Sequence, residues 1–271
     1  MVGVAYRIVR LRSAPFPDPP LAFDGPVIGG QPTRITSTGA HAPRHPHYTD
    51  DRVLLASPPA PRVLVLFFHG HMGEIDRDVR LRWDMAGQAA AAGAALIAPQ
   101  LGLEVADSYP GKLGRPGGTA ALIAEATPQL AELAGTSAAQ IEALPLVLAG
   151  FSGGWRALES SLIHGGLGQR VAGIVVLDAL FGGFDTVAEW CLDGRGWLVA
   201  VSGSRCADAM AALADRLSTA GIARATEVPA RLGPGTVALI DSEHDHWDIP
   251  GAGRPVQAIL SRWTSRPAER G

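Results

Sequence analysis

Leu146-Val147-Leu148-Ala149-Gly150-Phe151-Ser152-Gly153-Gly154-Trp155 reads as a buried strand, then a Gly-x-Ser-x-Gly turn, then the start of a helix. A serine hydroxyl is a poor nucleophile unless it is held rigidly, exposed, and close to a base and an oxyanion site. A sharp strand-to-helix turn supplies the first two conditions. It forces Ser152 into a strained backbone, and Gly150 and Gly154 leave room for the neighbouring chain. The same turn points the first helical N–H groups at whatever binds there. The bland alternative is a glycine-rich strand–helix turn with an incidental serine. It loses weight because the rest of the chain supplies the missing parts in order.

Working outward, short apolar runs alternate with helical stretches from about residue 52 to the end. Strands are expected at 52–55, 63–68, 94–98, 146–149, 173–177, 197–201 and 237–240. Most are continuous apolar runs, the pattern of strands buried on both faces. Helices are expected at 75–92, 118–133, 155–164, 186–191, 207–220 and 256–264. The alternation implies an α/β fold, a mostly parallel central sheet flanked by helices on both faces. Only about twenty residues separate Leu177 from Trp197, so a large cap after that strand is not expected. Residues 1–50 are rich in Pro, Gly and His and read as an N-terminal extension of edge strands and loops. Residues 51–271 then form the main domain, with one domain expected overall.

Bulk properties narrow the function classes. The chain has 271 residues, 47% of them hydrophobic and 18% charged, so a substantial core is expected. A net charge of −3 argues against an electrostatically driven nucleic-acid partner. Lys112 is the only lysine, which reads as coding bias. Cys191 and Cys206 show no metal-type spacing and suit a reducing compartment. The first eleven residues lack the layout of a signal peptide, and no apolar run reaches the roughly 18 residues of a membrane span. A soluble, cytoplasmic protein without a membrane partner is the expectation.

The order of motifs resembles the α/β-hydrolases over roughly residues 50–265. Val63-Leu64-Val65-Leu66-Phe67-Phe68-His69-Gly70-His71 looks like the third strand of that fold with its His-Gly oxyanion loop. Gly173-Ile174-Val175-Val176-Leu177-Asp178 and Asp241-Ser242-Glu243-His244-Asp245-His246 follow the Ser152 turn. More loosely, the chain is similar to bacterial α/β-hydrolases sharing Ala98-Pro99-Gln100-Leu101, Asp107-Ser108-Tyr109-Pro110-Gly111 and Leu177-Asp178-Ala179-Leu180-Phe181-Gly182. The resemblance implies a serine hydrolase acting on a small-molecule ester or amide, with no metal or organic cofactor. It implies Ser152 as nucleophile and a histidine after the last strand as base. His246 is favoured over His244, because His246-Trp247-Asp248-Ile249-Pro250 matches a His-x-x-Ile-Pro ending of those relatives. Asp178 is the first choice of acid, with Asp208 as the alternative. Backbone N–H groups of Gly153 and His71 would form the oxyanion hole, with His69 bracing its loop. His71-Met72 departs from a more glycine-rich pattern and leaves the shape of the acyl pocket open.

Two other classes compete. The pairs His69-x-His71 and His244-x-His246 could bind a metal, with Asp76, Asp241 or Asp245 adding oxygen ligands. A non-catalytic α/β-hydrolase scaffold is the third reading, although nucleophile, base and acid all have candidates. His41, His45 and His47 sit in a Pro-rich polar segment and read as solvated. Among the tryptophans Trp83, Trp155, Trp190 and Trp247, the second and fourth are the best pocket candidates by sequence adjacency. Arg77, Arg80, Arg82, Arg115 and Arg156 lie near site-forming loops and could meet a substrate carboxylate or simply be solvated. Ester or amide preference, substrate and oligomeric state stay open.

Overall fold

The computed structural model describes residues 4–18, 27–28, 31–32, 34–36, 39–41 and 46–263. Eight strands form one sheet: β1 (Ala5–Arg10), β2 (Arg52–Ser57), β3 (Val63–Phe68), β4 (Ala94–Pro99), β5 (Leu146–Phe151), β6 (Val171–Leu177), β7 (Trp197–Ser202) and β8 (Val237–Asp241). Their spatial order is β1-β2-β4-β3-β5-β6-β7-β8. β2 runs antiparallel to β1 and β4, and every other pairing is parallel. This is the expected mostly parallel sheet.

Side chains alternate across each strand, and both faces are covered. Leu64, Leu66, Phe68, Leu146 and Leu148 point into one core, shared with α2 (Gly118–Ala134), α4 (Trp155–Ile163), α5 (Phe184–Leu192) and α6 (Ala207–Thr219). Val63, Val65, Phe67, Val147, Ala149 and Phe151 point into the other, shared with α1 (Met85–Ala91) and α7 (Pro255–Ser261). At about 25 cal/mol per Å² of apolar surface removed from water, these two layers are the main stabilising term.

The single helix expected at 75–92 is two pieces. A π-helical segment, Ile75–Arg82, ends with Trp83 N–H donating to Asp78 O, and α1 starts afresh at Met85. Asp84 makes the break by adopting a left-handed backbone (φ 46°) and accepting from Gly87 N–H. The wider turn lets the Asp78 carboxylate accept from Glu74 N–H and from the Arg77 guanidinium. A short helix, α3 (Ala138–Glu142), has no counterpart in the sequence reading, although Ser137 and Gln140 form a reciprocal capping box that announces it. Thr264, the last residue of the expected final helix, lies outside the described residues, as does His45.

Of the N-terminal region, β1 pairs with β2 at the sheet edge, and two short ribbons join Val27–Ile28 to Gln31–Pro32 and Arg34–Thr36 to Gly39–His41. Among the described residues no helix is long and apolar enough to cross a membrane. Cys191 and Cys206 are free and buried.

Candidate active site

β5 delivers Ser152 at its carboxyl end. The chain turns there through a left-handed backbone at Ser152 (φ 50°), one 3-10 turn (Ser152–Gly154), and then α4. A non-glycine residue in this region is strained and persists only where the surroundings hold it. Glycines make the surroundings fit: a Cβ at Gly70 would lie 2.6 Å from Ser152 Cβ. A Cβ at Gly154 would meet the His69 carbonyl oxygen at 2.8 Å. Ser152 is buried, with 7% of its surface exposed.

His246 and Asp178 arrive from two other strand ends. Asp178 follows β6 in a second left-handed turn (φ 45°), and its own N–H donates to Val201 O at 2.7 Å. His246 lies on the segment after β8, anchored by buried Ile249. Its Nδ1 is 2.6 Å from Asp178 Oδ2 and its Nε2 is 2.8 Å from Ser152 Oγ. Both contacts are within normal hydrogen-bond range. The other Asp178 oxygen accepts from Ser202 Oγ (2.8 Å) and from Gly203 N–H (3.0 Å). Burial alone would raise the Asp178 pKa, but these hydrogen bonds from His246, Ser202 and Gly203 outweigh it and hold the carboxyl below its usual range. Phe151 lies 4.8 Å from the His246 ring, and Phe181 stands edge-on to it at 5.9 Å.

The alternatives from the sequence lie elsewhere. Asp208 sits in the first turn of α6 rather than in a loop. His244 is exposed and makes a backbone hydrogen bond to Ser242 Oγ. It has no hydrogen bond to Ser152 among the described residues.

The His69–His71 loop is braced as expected for His69. Its Nδ1 donates to Gly70 O (2.8 Å), while its Nε2 accepts from Leu101 N–H (2.9 Å) and faces the Gln100 amide nitrogen (2.9 Å). Full burial pushes the His69 pKa down to about 4, so the ring is neutral in this tautomer. Gln100 completes the brace by accepting from Ile75 N–H and donating to Gly73 O. His71 projects its ring against Gly153, where a Cβ would lie 2.6 Å from Nε2. That nitrogen is 2.7 Å from Ser108 Oγ. Among the described residues the His71 N–H has no backbone acceptor, and Met72 beyond it is left-handed (φ 57°). His69 Nδ1 and Nε2, His71 Nε2 and both His246 nitrogens thus face backbone, Gln100, Ser108, Ser152 and Asp178 rather than a common point. No group of three or more His, Cys, Asp or Glu among the described residues could hold a metal ion.

The remaining candidates divide. Trp83 and Trp190 are core residues. Trp155 packs against Gly182, on the face of the sheet covered by α2, α4, α5 and α6. Trp247 stacks on Trp83 (6.4 Å) and accepts at its carbonyl from the Trp83 indole N–H (2.9 Å). It walls a cleft of about 700 Å³ together with Asp178, Gly203, Arg205, His244 and His246; Ser152 is not in that wall. Arg77, Arg80, Arg82 and Arg115 pair with Asp78, Asp76, Asp248 and Asp18 in turn. Arg156 lies over the Trp155 ring. Sequence reasoning missed Gln88, which donates to Trp83 O and Pro250 O and accepts from Val256 N–H, each at about 3 Å. It ties the segment carrying His246 to α1, and its only sequence signal is a polar residue on an apolar helix face.

The chain has the α/β-hydrolase fold: a mostly parallel sheet, a strained serine at a strand-to-helix turn, and the chain order Ser152, Asp178, His246. No family model and no curated protein matches the sequence. Among solved structures, the chain is similar to FphF, a fluorophosphonate-binding serine hydrolase of Staphylococcus aureus. The identity is 14% with a TM-score of 0.49, covering 95% of this chain and 98% of that one. A thermostable esterase from Pseudomonas putida gives 15% and 0.49, covering 96% of this chain and 81% of that one. Esterase LipW from Mycobacterium marinum gives 17% and 0.49, covering 96% and 79%.

Proposed function

We propose that the protein is a serine hydrolase that cleaves a carboxylic ester or amide of a small molecule through an acyl-enzyme. The observation that carries this reading is the unbroken hydrogen-bonded relay Ser152 Oγ–His246 Nε2, His246 Nδ1–Asp178 Oδ2, held between three different strand ends. His246 takes the Ser152 proton as Oγ bonds to the substrate carbonyl carbon. The bond to the leaving group then breaks, and His246 returns that proton to the departing oxygen or nitrogen. A water molecule, deprotonated by the same nitrogen, releases the acid and restores Ser152. Asp178 fixes the imidazole tautomer and stabilises the imidazolium formed in between. The N–H groups of Gly153 and His71 receive the developing oxyanion, an electrostatic contribution worth about 3 kcal/mol per donor.

The test is labelling with a fluorophosphonate probe, wild type against Ser152→Ala, each with and without a chelator. Labelling that disappears in Ser152→Ala and ignores the chelator supports the reading. An unlabelled but folded wild type overturns it, and chelator-sensitive hydrolysis would then assign the chemistry to a metal.

A further inference from the structure

The tetrahedral carbon formed on Ser152 has four substituents, and the site gives three of them a direction. One is Ser152 Oγ itself, and one is the oxyanion facing the Gly153 and His71 N–H groups. The third is the leaving group, which must face His246 Nε2 to collect its proton. The acyl chain is left to the flank away from His246. The His71 ring lies against Gly153, the residue after Ser152, and is hydrogen-bonded through Nε2 to Ser108 Oγ at 2.7 Å. Both residues are partly exposed, so a substrate can touch them. Burial of the His71 imidazole lowers its pKa, Asp107 opposes this, and nearby His246 adds to it, which favours the neutral form of the ring.

A neutral imidazole–hydroxyl pair has two arrangements. With the proton on Nε2, the ring donates to Ser108 Oγ and the serine O–H is free to donate outward. With Nε2 bare, the serine donates to the ring and presents its lone pairs outward. A hydroxyl group can pair with either arrangement, a carbonyl with the first only, and a plain alkyl chain with neither. Phe181 is 49% exposed and stands edge-on to His246, an apolar surface for the departing group that His246 must face.

We infer that His71 and Ser108 line the acyl flank and form a recognition pair for a short acyl chain bearing a hydroxyl group, so that the preferred substrates are esters or amides of hydroxy acids. The inference rests on the Ser152 acyl-enzyme reading and adds the substrate class. Its test uses aryl esters of one phenol carrying 2-hydroxyacyl, 3-hydroxyacyl and unsubstituted acyl groups of equal chain length. They are assayed with wild type, Ser108→Ala and Ser108→Thr. The readout is the ratio of kcat/KM for hydroxylated over plain ester. In wild type at least one ratio exceeds that of Ser108→Ala by about tenfold, the effect of one good hydrogen bond to substrate. Ser108→Thr, which keeps the hydroxyl, retains most of the ratio. A ratio unchanged by Ser108→Ala, with Ser152 still labelled by fluorophosphonate, overturns the substrate class and leaves the hydrolase reading standing. Absence of labelling in folded wild type overturns the hydrolase reading and this inference with it.

Discussion

Lowering the pH should destabilise this protein through His69, and the size of the effect follows from its surroundings. His69 is 1% exposed, its Nδ1 donates to Gly70 O, and its Nε2 accepts from Leu101 N–H. Protonating Nε2 would break that last hydrogen bond and place a charge in the core. Its pKa accordingly falls from 6.5 to about 4 on folding. The unfolded chain therefore binds a proton that the folded chain refuses throughout that window, and stability falls as pH drops through it. Below about pH 4 both states are protonated and the loss is complete. At 1.36 kcal/mol per pKa unit the total is about 3 kcal/mol. Carboxylates also contribute to acid destabilisation, Asp178 among them, because its depressed pKa favours the folded state only above its titration. A paired comparison removes them. His69→Gln does not titrate, and its amide oxygen can accept from Leu101 N–H. Urea unfolding of both proteins should show the stability of wild type minus that of the variant falling by about 3 kcal/mol between pH 7 and pH 4. A difference that moves by less than about 1 kcal/mol would refute the reasoning, since the brace would then tolerate a charged ring.

Other outcomes follow from named contacts. Asp178→Asn should lower kcat by about 10⁴-fold with the fold intact, through the wrong imidazole tautomer, whereas Asp208→Asn should leave it unchanged; the larger loss in Asp208→Asn, read in a steady-state assay, would reverse the assignment. Gly153→Ala should cost about 100-fold in kcat, because the new Cβ would overlap His71 Cδ2 and push that ring away from the turn that carries the Gly153 N–H. Circular dichroism unchanged from wild type would separate this from unfolding. Gln88→Leu should destabilise by about 3 kcal/mol in urea unfolding, since Trp83 O, Pro250 O and Val256 N–H lose their partner in a buried position. A loss under about 1 kcal/mol would mean that those groups find other partners.

The parallel strands were legible because burial on both faces leaves a local signature, an uninterrupted apolar run such as Val63–Phe68. The serine turn was legible because strain at Ser152 demands glycines on either side. Asp178 stood open against Asp208 in the sequence, since a strand-terminal Asp and an Asp at a helix start look alike there. What separates them is three-dimensional: a left-handed backbone at Asp178, and donors from Ser202 at the end of β7 and Gly203 just after it. The π-helical turn at Ile75–Arg82 was illegible because no local residue marks it, and Trp83, which closes it, is held by a hydrogen bond to Trp247 O, 164 residues away.

That separation points to how the site is held. Ser152 rides on a rigid strand end, but His246 and the His71 N–H both lie on connecting segments, which are ordinarily the mobile part of a fold. Each is tied down by a buried amide with its hydrogen bonds filled. Gln100 joins β4 to the His69–Gly73 loop, and Gln88 joins α1 to both ends of the stretch between Pro250 and Val256. A buried amide costs free energy unless its bonds are made, so each works only in one arrangement of its loop. Hydrophobic packing alone would tolerate shifts of an ångström that a hydrogen-bonded relay of 2.6 and 2.8 Å cannot. Two polar residues in otherwise apolar surroundings thus convert a stable sheet into a site of defined geometry.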